Sequence, residues 1–288
     1  MSSTGYDMKR ERNGRSGAMP ELPEVETVRR SLEPFLVGQT VVQVEVREPR
    51  LRRPLPTTFA RTLTGRTIRA IDRRGKYLHL QLDNQQIWLV HLGMTGQLIV
   101  ETREVQPLLH DHVRVALGSG HQLRYNDPRR FGLMIIGTAE EIAAVTMLGC
   151  EPLGKEFSTR YLLEKAAATK RTIKDVLMDQ RVVAGVGNIY ASELLFRAGV
   201  RPGRVATTLD LKAIERIVKA TKDVLREAIR HRGSSISDYR DGEGKEGRFQ
   251  QRFRVYDRDG EPCRTCHTAI CRDTRGGRSS FFCPSCQL

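Results

Sequence analysis

Met19-Pro20-Glu21-Leu22-Pro23-Glu24-Val25-Glu26 is the stretch whose reading decides the rest of the chain. As local structure it starts a helix. Pro23 suits a first helical turn, where its missing N–H is no loss, and Glu24 and Glu26 stand where the helix dipole favours negative charge. Val25, Val28, Leu32 and Leu36 recur at helical spacing and predict one buried face. That reading accounts for Pro23 and the apolar stripe, but not for Pro20-Glu21 directly behind a methionine. Were translation to start at Met19 and that residue to be removed, Pro20 would carry the terminal amine. A secondary amine is a good nucleophile toward an aldehyde-like carbon, and an α-amino group titrates at about 7.7–8.0, so a usable fraction is neutral near pH 7. Its attack gives a charged iminium, an electron sink that acidifies the neighbouring C–H. The stretch alone leaves both readings open.

The 288 residues suffice for two modest domains, or for one with a small module. Hydrophobic residues make up 39%, enough for a core, and no apolar run approaches the roughly 20 residues of a membrane span. A net charge of +14 points to a polyanion such as nucleic acid. The competing partner, an anionic membrane face, would need a basic amphipathic helix or a lipidation signal, and neither is evident. Five of the six cysteines fall between Cys263 and Cys286, which is a local site and not a disulfide framework. No signal peptide opens the chain, so a reducing cytoplasm is expected.

Residues 1–18 are polar, rich in Gly, Ser and Arg, and lack periodicity. They are expected to form a disordered extension, absent from the working protein. Beyond the first helix, strands are predicted over Thr40 to Val46, over Arg66 to Leu82 in two pieces around Arg73-Arg74-Gly75-Lys76, and over Ile87 to Val100, broken at His91 to Gly96. A hairpin through Gly118-Ser119-Gly120 and a strand over Phe131 to Ile136 bring the total to seven or eight, the pattern of a β-sandwich or barrel. Near residue 139 the period changes, and helices are predicted over Glu140 to Met147, Thr159 to Ala168, Ile173 to Met178, Ile189 to Ala198 and Leu209 to Arg230. Ser234 to Phe249, rich in Gly, Ser and charge, reads as a mobile loop. The expected domains are therefore residues 20–138, 139–249 and 250–288.

The plainest metal signal is Cys263-x2-Cys266 followed, after sixteen residues, by Cys283-x2-Cys286. Two such knuckles read as a tetrahedral zinc site. A segment of roughly forty residues seldom buries enough core to fold alone, and a structural zinc adds about 10–16 kcal/mol of apparent binding energy. Cys271 and His267, between the knuckles, are competing ligands. The intervening Arg275-Gly276-Gly277-Arg278-Ser279-Ser280-Phe281 is a basic hairpin tip that reaches a phosphate or is a solvated turn.

Asp127-Pro128-Arg129-Arg130-Phe131-Gly132 sets two guanidinium groups beside an aromatic ring. Phe131 is either core or a wedge between stacked bases, and the arginines are either solvated or bind a base edge or phosphate. Met94, in a Gly-flanked loop, is likewise filler or wedge. Lys76 follows a turn glycine, and Arg73 and Arg74 nearby would depress its pKa by like-charge repulsion, as suits a proton-transferring lysine. Gly185 to Glu193 is a Gly-rich turn leading into a helix. Its free N–H groups and the Asn188 amide suit an anionic oxygen, unless they simply start the helix.

Taken in order from Met19 to Gln287, these residues resemble the formamidopyrimidine-DNA glycosylases, bacterial enzymes that remove oxidised purines from DNA. The resemblance is carried by Pro20 to Glu26, the Lys76 turn, His91 to Gly96, His110-Asp111-His112, Arg129-Arg130-Phe131, Gly185 to Glu193 and the terminal cysteine pairs. It implies an α+β fold: a β-sandwich with a leading helix, then a helix–two-turns–helix domain carrying a zinc-finger hairpin. It places the family's nucleophile on Pro20, which would attack the sugar C1′, with Glu21 as proton donor at the ring oxygen and Glu24 in support. The β-elimination lysine falls on Lys76, and the finger arginine, tied to δ-elimination and phosphate binding, on Arg278. Met94, Arg129 and Phe131 would fill the gap left by the extruded base. His110, Lys170, Lys174 and Asn188 would contact the DNA backbone, and Cys263, Cys266, Cys283 and Cys286 would hold one structural zinc.

The implied partner is damaged double-stranded DNA, bound by a monomer with no obligate protein partner in the bacterial cytoplasm. Flipping a base costs a few kcal/mol, which the wedge side chains partly offset. Ser234 to Phe249 matches the family's flexible loop over the flipped base. One departure stands out: embedded behind eighteen residues and Met19, Pro20 would be a tertiary amide with no nucleophilic lone pair, so the functional chain is expected to begin at Pro20. Two rivals remain. One is an endonuclease VIII-like enzyme for oxidised pyrimidines, against which Leu22 and the intact Arg129-Arg130-Phe131 segment argue. The other is an inactive zinc-finger DNA binder.

Overall fold

The computed structural model describes residues 19–102, 105–236 and 239–288, and at Arg275 the backbone alone. The protein is α+β. Helix α1 (Leu22–Leu36) begins as the prolines and acids predict, with Pro23 in its first turn and the Glu24 carboxylate accepting the Glu21 N–H at 3.0 Å. Its apolar face serves two cores. Leu22 packs among the C-terminal helices, whereas Val25, Val28, Leu32 and Leu36 enter the sandwich, and all five are at most 1% exposed.

Eight strands follow: β1 (Val41–Val46), β2 (Ile68–Arg74), β3 (Tyr77–Leu82), β4 (Ile87–His91), β5 (Gln97–Glu101), β6 (Asp111–Leu117), β7 (Gln122–Asn126) and β8 (Leu133–Gly137). They form two four-stranded antiparallel sheets among the described residues, in the orders β1-β6-β7-β5 and β2-β3-β4-β8. Two separate sheets make a sandwich, which settles the alternative of a barrel. β3 shows the period-two alternation, with Leu78, Leu80 and Leu82 inward. β4 is buried on both faces because α3 (Ala139–Thr146) lays Ile142 against Ile87 and Leu89, while Trp88 and Val90 face the sandwich core. A short helix α2 (Phe59–Leu63), absent from the sequence reading, buries Phe59 and Leu63 in the same core; five residues are too few to show a helical period.

The second half packs α4 (Thr159–Ala167), α5 (Ile173–Met178), α6 (Asn188–Ala198) and α7 (Leu211–Arg230) around their own core. Ser158, Thr172 and Asp210 cap α4, α5 and α7 through their side-chain oxygens. The C-terminal hairpin, β9 (Cys271–Arg275) and β10 (Arg278–Phe282), has only a small core of Val255, Ile270, Phe281, Cys263 and Cys283. It is fastened to α6 by Glu193, a buried carboxylate that accepts the N–H groups of Arg254, Val255 and Tyr256, each at 2.9 Å.

The segment between α7 and this hairpin, read as a mobile loop, is tied down at its described residues. Tyr239 donates its hydroxyl to the Glu24 carbonyl at 3.2 Å, Gly242 N–H reaches Ser31 Oγ at 2.8 Å, and Val100 N–H reaches the Gly242 carbonyl at 2.8 Å. Asp241, fully buried, binds Arg232 and accepts the N–H groups of Glu243 and Lys245.

Candidate active site

Pro20 is buried at the junction of the sandwich and the helical domain, lining a small cleft with Glu24, Ile189, Ser234 and Tyr239. The residue after it reaches across that junction. Glu21 is 3% exposed, and its carboxylate accepts the N–H groups of Gly187 at 2.6 Å and Ile189 at 2.8 Å. The Gly-rich turn therefore does hold an anionic oxygen, but one that belongs to the chain itself: the donors expected for a ligand are engaged by Glu21. Burial raises the Glu21 carboxyl to about 7, with Lys76 and these backbone donors opposing the rise and Glu24 adding to it.

Lys76 converges on the same spot from the β2–β3 turn. A methyl group added at Gly187 would lie 2.6 Å from Glu21 Oε1 and 2.7 Å from Lys76 Nζ, so only glycine leaves room for both. The Lys76 ammonium is pushed below its usual range, as anticipated, but for a different reason. Desolvation is the main cause, opposed by Glu21 and Glu24, and the like charge that contributes is Arg278. Arg73 and Arg74 do not perform that task. Arg73 bridges Glu26 at 3.1 Å and Glu151 at 2.9 Å, and Arg74 meets Glu151 at 3.4 Å. Glu151 Oε1 also accepts the Gly75 N–H at 2.6 Å, so these charges fix the turn that carries Lys76.

Glu24 supports the cleft through four donors. Its Oε1 accepts the Tyr190 hydroxyl at 2.6 Å, the Ser234 N–H at 2.7 Å and the Ser234 hydroxyl at 3.0 Å, and its Oε2 accepts the Glu21 N–H. Burial still raises its carboxyl. The sequence reading missed Ser234 and the role of Tyr190, although Tyr190 lies within the Gly185 to Glu193 motif. Ser234 sits in a stretch whose composition signals only a loop.

The expected wedge residues come from two loops whose backbones touch at Gly93 and Phe131. Phe131 is 42% exposed, which rules out the core reading, and the Arg129 guanidinium stacks 4.7 Å from its ring centre. Arg130, by contrast, pairs with Glu48 at 3.4 Å. Met94 lies in the adjoining loop, half-buried. His91, buried in front of that loop, accepts the Gly93 N–H on Nδ1 at 3.0 Å; desolvation holds its imidazole down to about 3, with Lys76 and Arg52 adding repulsion.

Of the expected backbone contacts, His110 and Lys170 are exposed and Asn188 is half-buried, its Oδ1 without a hydrogen-bond partner among the described residues. Lys174 differs. It is 4% exposed and donates to the Ser279 carbonyl and the Ser280 hydroxyl, both at 2.9 Å, so it braces the finger hairpin from α5. Burial lowers its ammonium to about 8. An open cavity of about 360 Å³ beside it is lined by Arg201, Arg204 and the exposed Arg278.

The sulfurs of Cys263, Cys266, Cys283 and Cys286 lie within 4.8 Å of one another, and no disulfide joins them. A tetrahedral zinc with bonds near 2.3 Å needs sulfurs about 3.8 Å apart; Cys263 and Cys286 are 3.9 Å apart, Cys266 and Cys283 3.4 Å. The four cysteines fit a metal ion. Among the described residues neither Cys271 nor His267 joins the cluster.

Known proteins resemble this chain over most of its length. Residues 19–134 match the family model for the formamidopyrimidine-DNA glycosylase N-terminal domain, and residues 148–240 match that for the formamidopyrimidine-DNA glycosylase H2TH domain. The formamidopyrimidine-DNA glycosylase of Azorhizobium caulinodans is 46% identical over 93% of this chain and 100% of its own. That of Syntrophotalea carbinolica is 45% identical with the same coverage. The crystal structure of the MutM (Fpg) protein from Thermus thermophilus superposes with a TM-score of 0.83 at 41% identity, over 93% of this chain and 98% of that one. The Lactococcus lactis Fpg in complex with DNA containing an abasic site gives 0.86 at 34% identity, over 93% and 99%.

Proposed function

Because the chain belongs to the formamidopyrimidine-DNA glycosylase family and is a DNA glycosylase, we propose that it excises oxidised purines, 8-oxoguanine and formamidopyrimidines, and then cuts the strand by β,δ-elimination. One observation carries the reading: Glu21, which directly follows the buried Pro20, meets Lys76 beside Gly187 and has its carboxyl raised to about 7. A buried acid half-protonated at neutral pH is suited to deliver a proton to an oxygen.

The steps follow from these groups. Freed of residues 1–19, the Pro20 nitrogen attacks C1′, the bond from C1′ to the base breaks with its electron pair leaving on the base, and the proton from the nitrogen passes to the departing base. Glu21 gives its proton to the sugar ring oxygen, the ring opens, and the C1′–nitrogen bond becomes an iminium. Lys76, neutral in larger fraction than an exposed lysine, accepts the C2′ proton; the electrons move into the iminium and expel the 3′ phosphate. In a second elimination the C4′ proton passes to water, its electron pair forms the C4′–C5′ double bond, and the 5′ phosphate leaves from C5′ with Arg278 on the phosphate. Glu24 holds the Glu21 backbone in place. Met94, Arg129 and Phe131 occupy the vacancy in the duplex, and His110, Lys170 and Asn188 steady the backbone. Zinc, as the ion the four cysteines would hold, contributes cross-links that fold the finger and takes no part in the chemistry. The protein acts as a monomer on bacterial cytoplasmic DNA. The match to the family's N-terminal domain begins at residue 19, which supports a start at Pro20.

Borohydride trapping tests the reading. Protein beginning at Pro20 should crosslink to a duplex carrying 8-oxoguanine, with the oligonucleotide attached at the amino-terminal peptide, and prefer it to thymine glycol. Protein retaining residues 1–19 should not trap. Attachment through another side chain would overturn the assignment.

A further inference from the structure

Asp127 is the most completely enclosed acid near the proposed wedge, at 0% exposed, and the proposed chemistry does not use it. Its side chain joins three stretches around the proposed wedge. Oδ1 accepts the Thr95 hydroxyl at 2.5 Å, and Oδ2 accepts the Tyr125 hydroxyl at 3.0 Å and the Gly132 N–H at 2.8 Å. Thr95 follows Met94, and Gly132 follows Phe131. The Thr95 oxygen in turn accepts the Arg129 N–H at 3.2 Å. The Asp127 main chain extends the junction: its N–H reaches the His110 carbonyl at 3.1 Å, and its carbonyl accepts from Arg130 N–H at 3.1 Å and from His112 Nε2 at 2.7 Å. The two loops touch so closely that a methyl group at Gly93 would lie 2.5 Å from the Phe131 carbonyl carbon.

We propose that Asp127 is a positioning residue that binds Met94, Arg129 and Phe131 into one rigid wedge, so that the three side chains enter the duplex together. This rests on the wedge assignment of the preceding section. Three side chains from two loops fill a gap one nucleotide wide only if their relative placement is set beforehand, because ordering them on entry costs side-chain and loop entropy. A buried carboxylate accepting several hydrogen bonds sets it, since each bond is charge-assisted and shielded from water. Thr95 is the link that crosses between the loops, and loss of its hydroxyl frees Asp127 Oδ1 and the Arg129 N–H at one stroke.

Thr95→Val keeps the shape of the side chain and Asp127→Asn keeps that of the carboxyl, so both serve as probes. Each is made in protein starting at Pro20 and assayed on duplexes carrying 8-oxoguanine and on duplexes carrying a preformed abasic site, where no base has to be extruded. Excision should slow roughly tenfold to a hundredfold, as expected for misplaced groups, and strand cutting at the abasic site should fall far less. The fluorescence rise of 2-aminopurine beside the lesion should slow in step with excision, and the double variant should be no slower than the worse single one. Equal loss of both activities, or unchanged excision in both single variants, overturns the proposal. A wild-type protein that neither excises 8-oxoguanine nor traps would remove the parent reading and this one with it, so the two failures are told apart by the wild-type lane.

Discussion

The Glu21 carboxylate and the Ile189 N–H are 2.8 Å apart although 168 positions separate them in the chain. Through that bond the leading helix and the amino end of α6 share one buried anion. Two opposing influences meet there: the helix terminus and Lys76 favour the charge, and burial disfavours it. Burial wins, and the carboxyl titrates at about 7.

Excision should therefore decline as pH rises through about 7, where Glu21 loses its proton. Glu21→Gln should remove that limb and slow excision by about 10²–10⁴-fold, the usual worth of a general acid. Cutting at a preformed abasic site should suffer less, because that sugar already equilibrates with its open aldehyde. Stability carries the same signature. A carboxyl raised in the folded state from 4.5 contributes fully below its unfolded value, and the contribution is lost as pH rises through the folded one. Single-turnover rates and thermal unfolding of both proteins across neutral pH check this.

Gly187→Ala should lower excision roughly a hundredfold through displacement of the reacting groups. The added carbon meets both Glu21 and Lys76, so the balance between burial and charge at Glu21 would shift with them. Far-UV circular dichroism should be unchanged, and the pH–rate profile should move.

Much of this was legible in the sequence, and the exceptions have physical causes. The α1 stripe, the strand alternation and the cysteine spacing are local patterns, and each folds as its period dictates. Pro20 stands out because a helix start does not explain a proline directly behind a methionine, and Lys76 because it follows a turn glycine beside two arginines; the role of Glu21 comes from the family resemblance alone. What escaped is set by contacts between distant segments. The occupant of the Gly187–Tyr190 amides is Glu21, and no spacing rule links the two. Arg73 and Arg74 look like repelling neighbours of Lys76 until Glu26 and Glu151 are placed beside them. Ser234 to Phe249 reads as loose by composition, yet Tyr239, Asp241 and Gly242 anchor it.

Glu193→Ala should loosen the finger. Three backbone N–H groups would lose their acceptor, at about 1–3 kcal/mol for each one left buried without a partner. Hydrogen exchange should quicken across residues 254–288 and stay slow in β3 and β4, whose core is separate.

Each chain should hold one zinc ion by elemental analysis, and Cys266→Ser or a strong chelator should remove it. Loss of about 10–16 kcal/mol of binding energy leaves the small finger core unable to fold. Strand cutting should fall with it while the sandwich keeps its unfolding transition.

Arg278→Ala and Lys174→Met should separate in their salt dependence. Arg278 is exposed, so its loss should lower the slope of log affinity against log salt by about 0.9, one phosphate's worth. Lys174 already donates to Ser279 and Ser280, so its replacement should weaken affinity with a smaller change in slope. Titrations at several salt concentrations read both.

The bond from Val100 to Gly242 carries a consequence of another kind. β5 is one of the two edge strands of its sheet, and an uncovered edge strand invites pairing with a foreign chain. By lying along it, the segment after α7 denies that template to a second molecule. Solubility thus draws on these few residues, and a proteolytic nick there would be expected to make the protein self-associate.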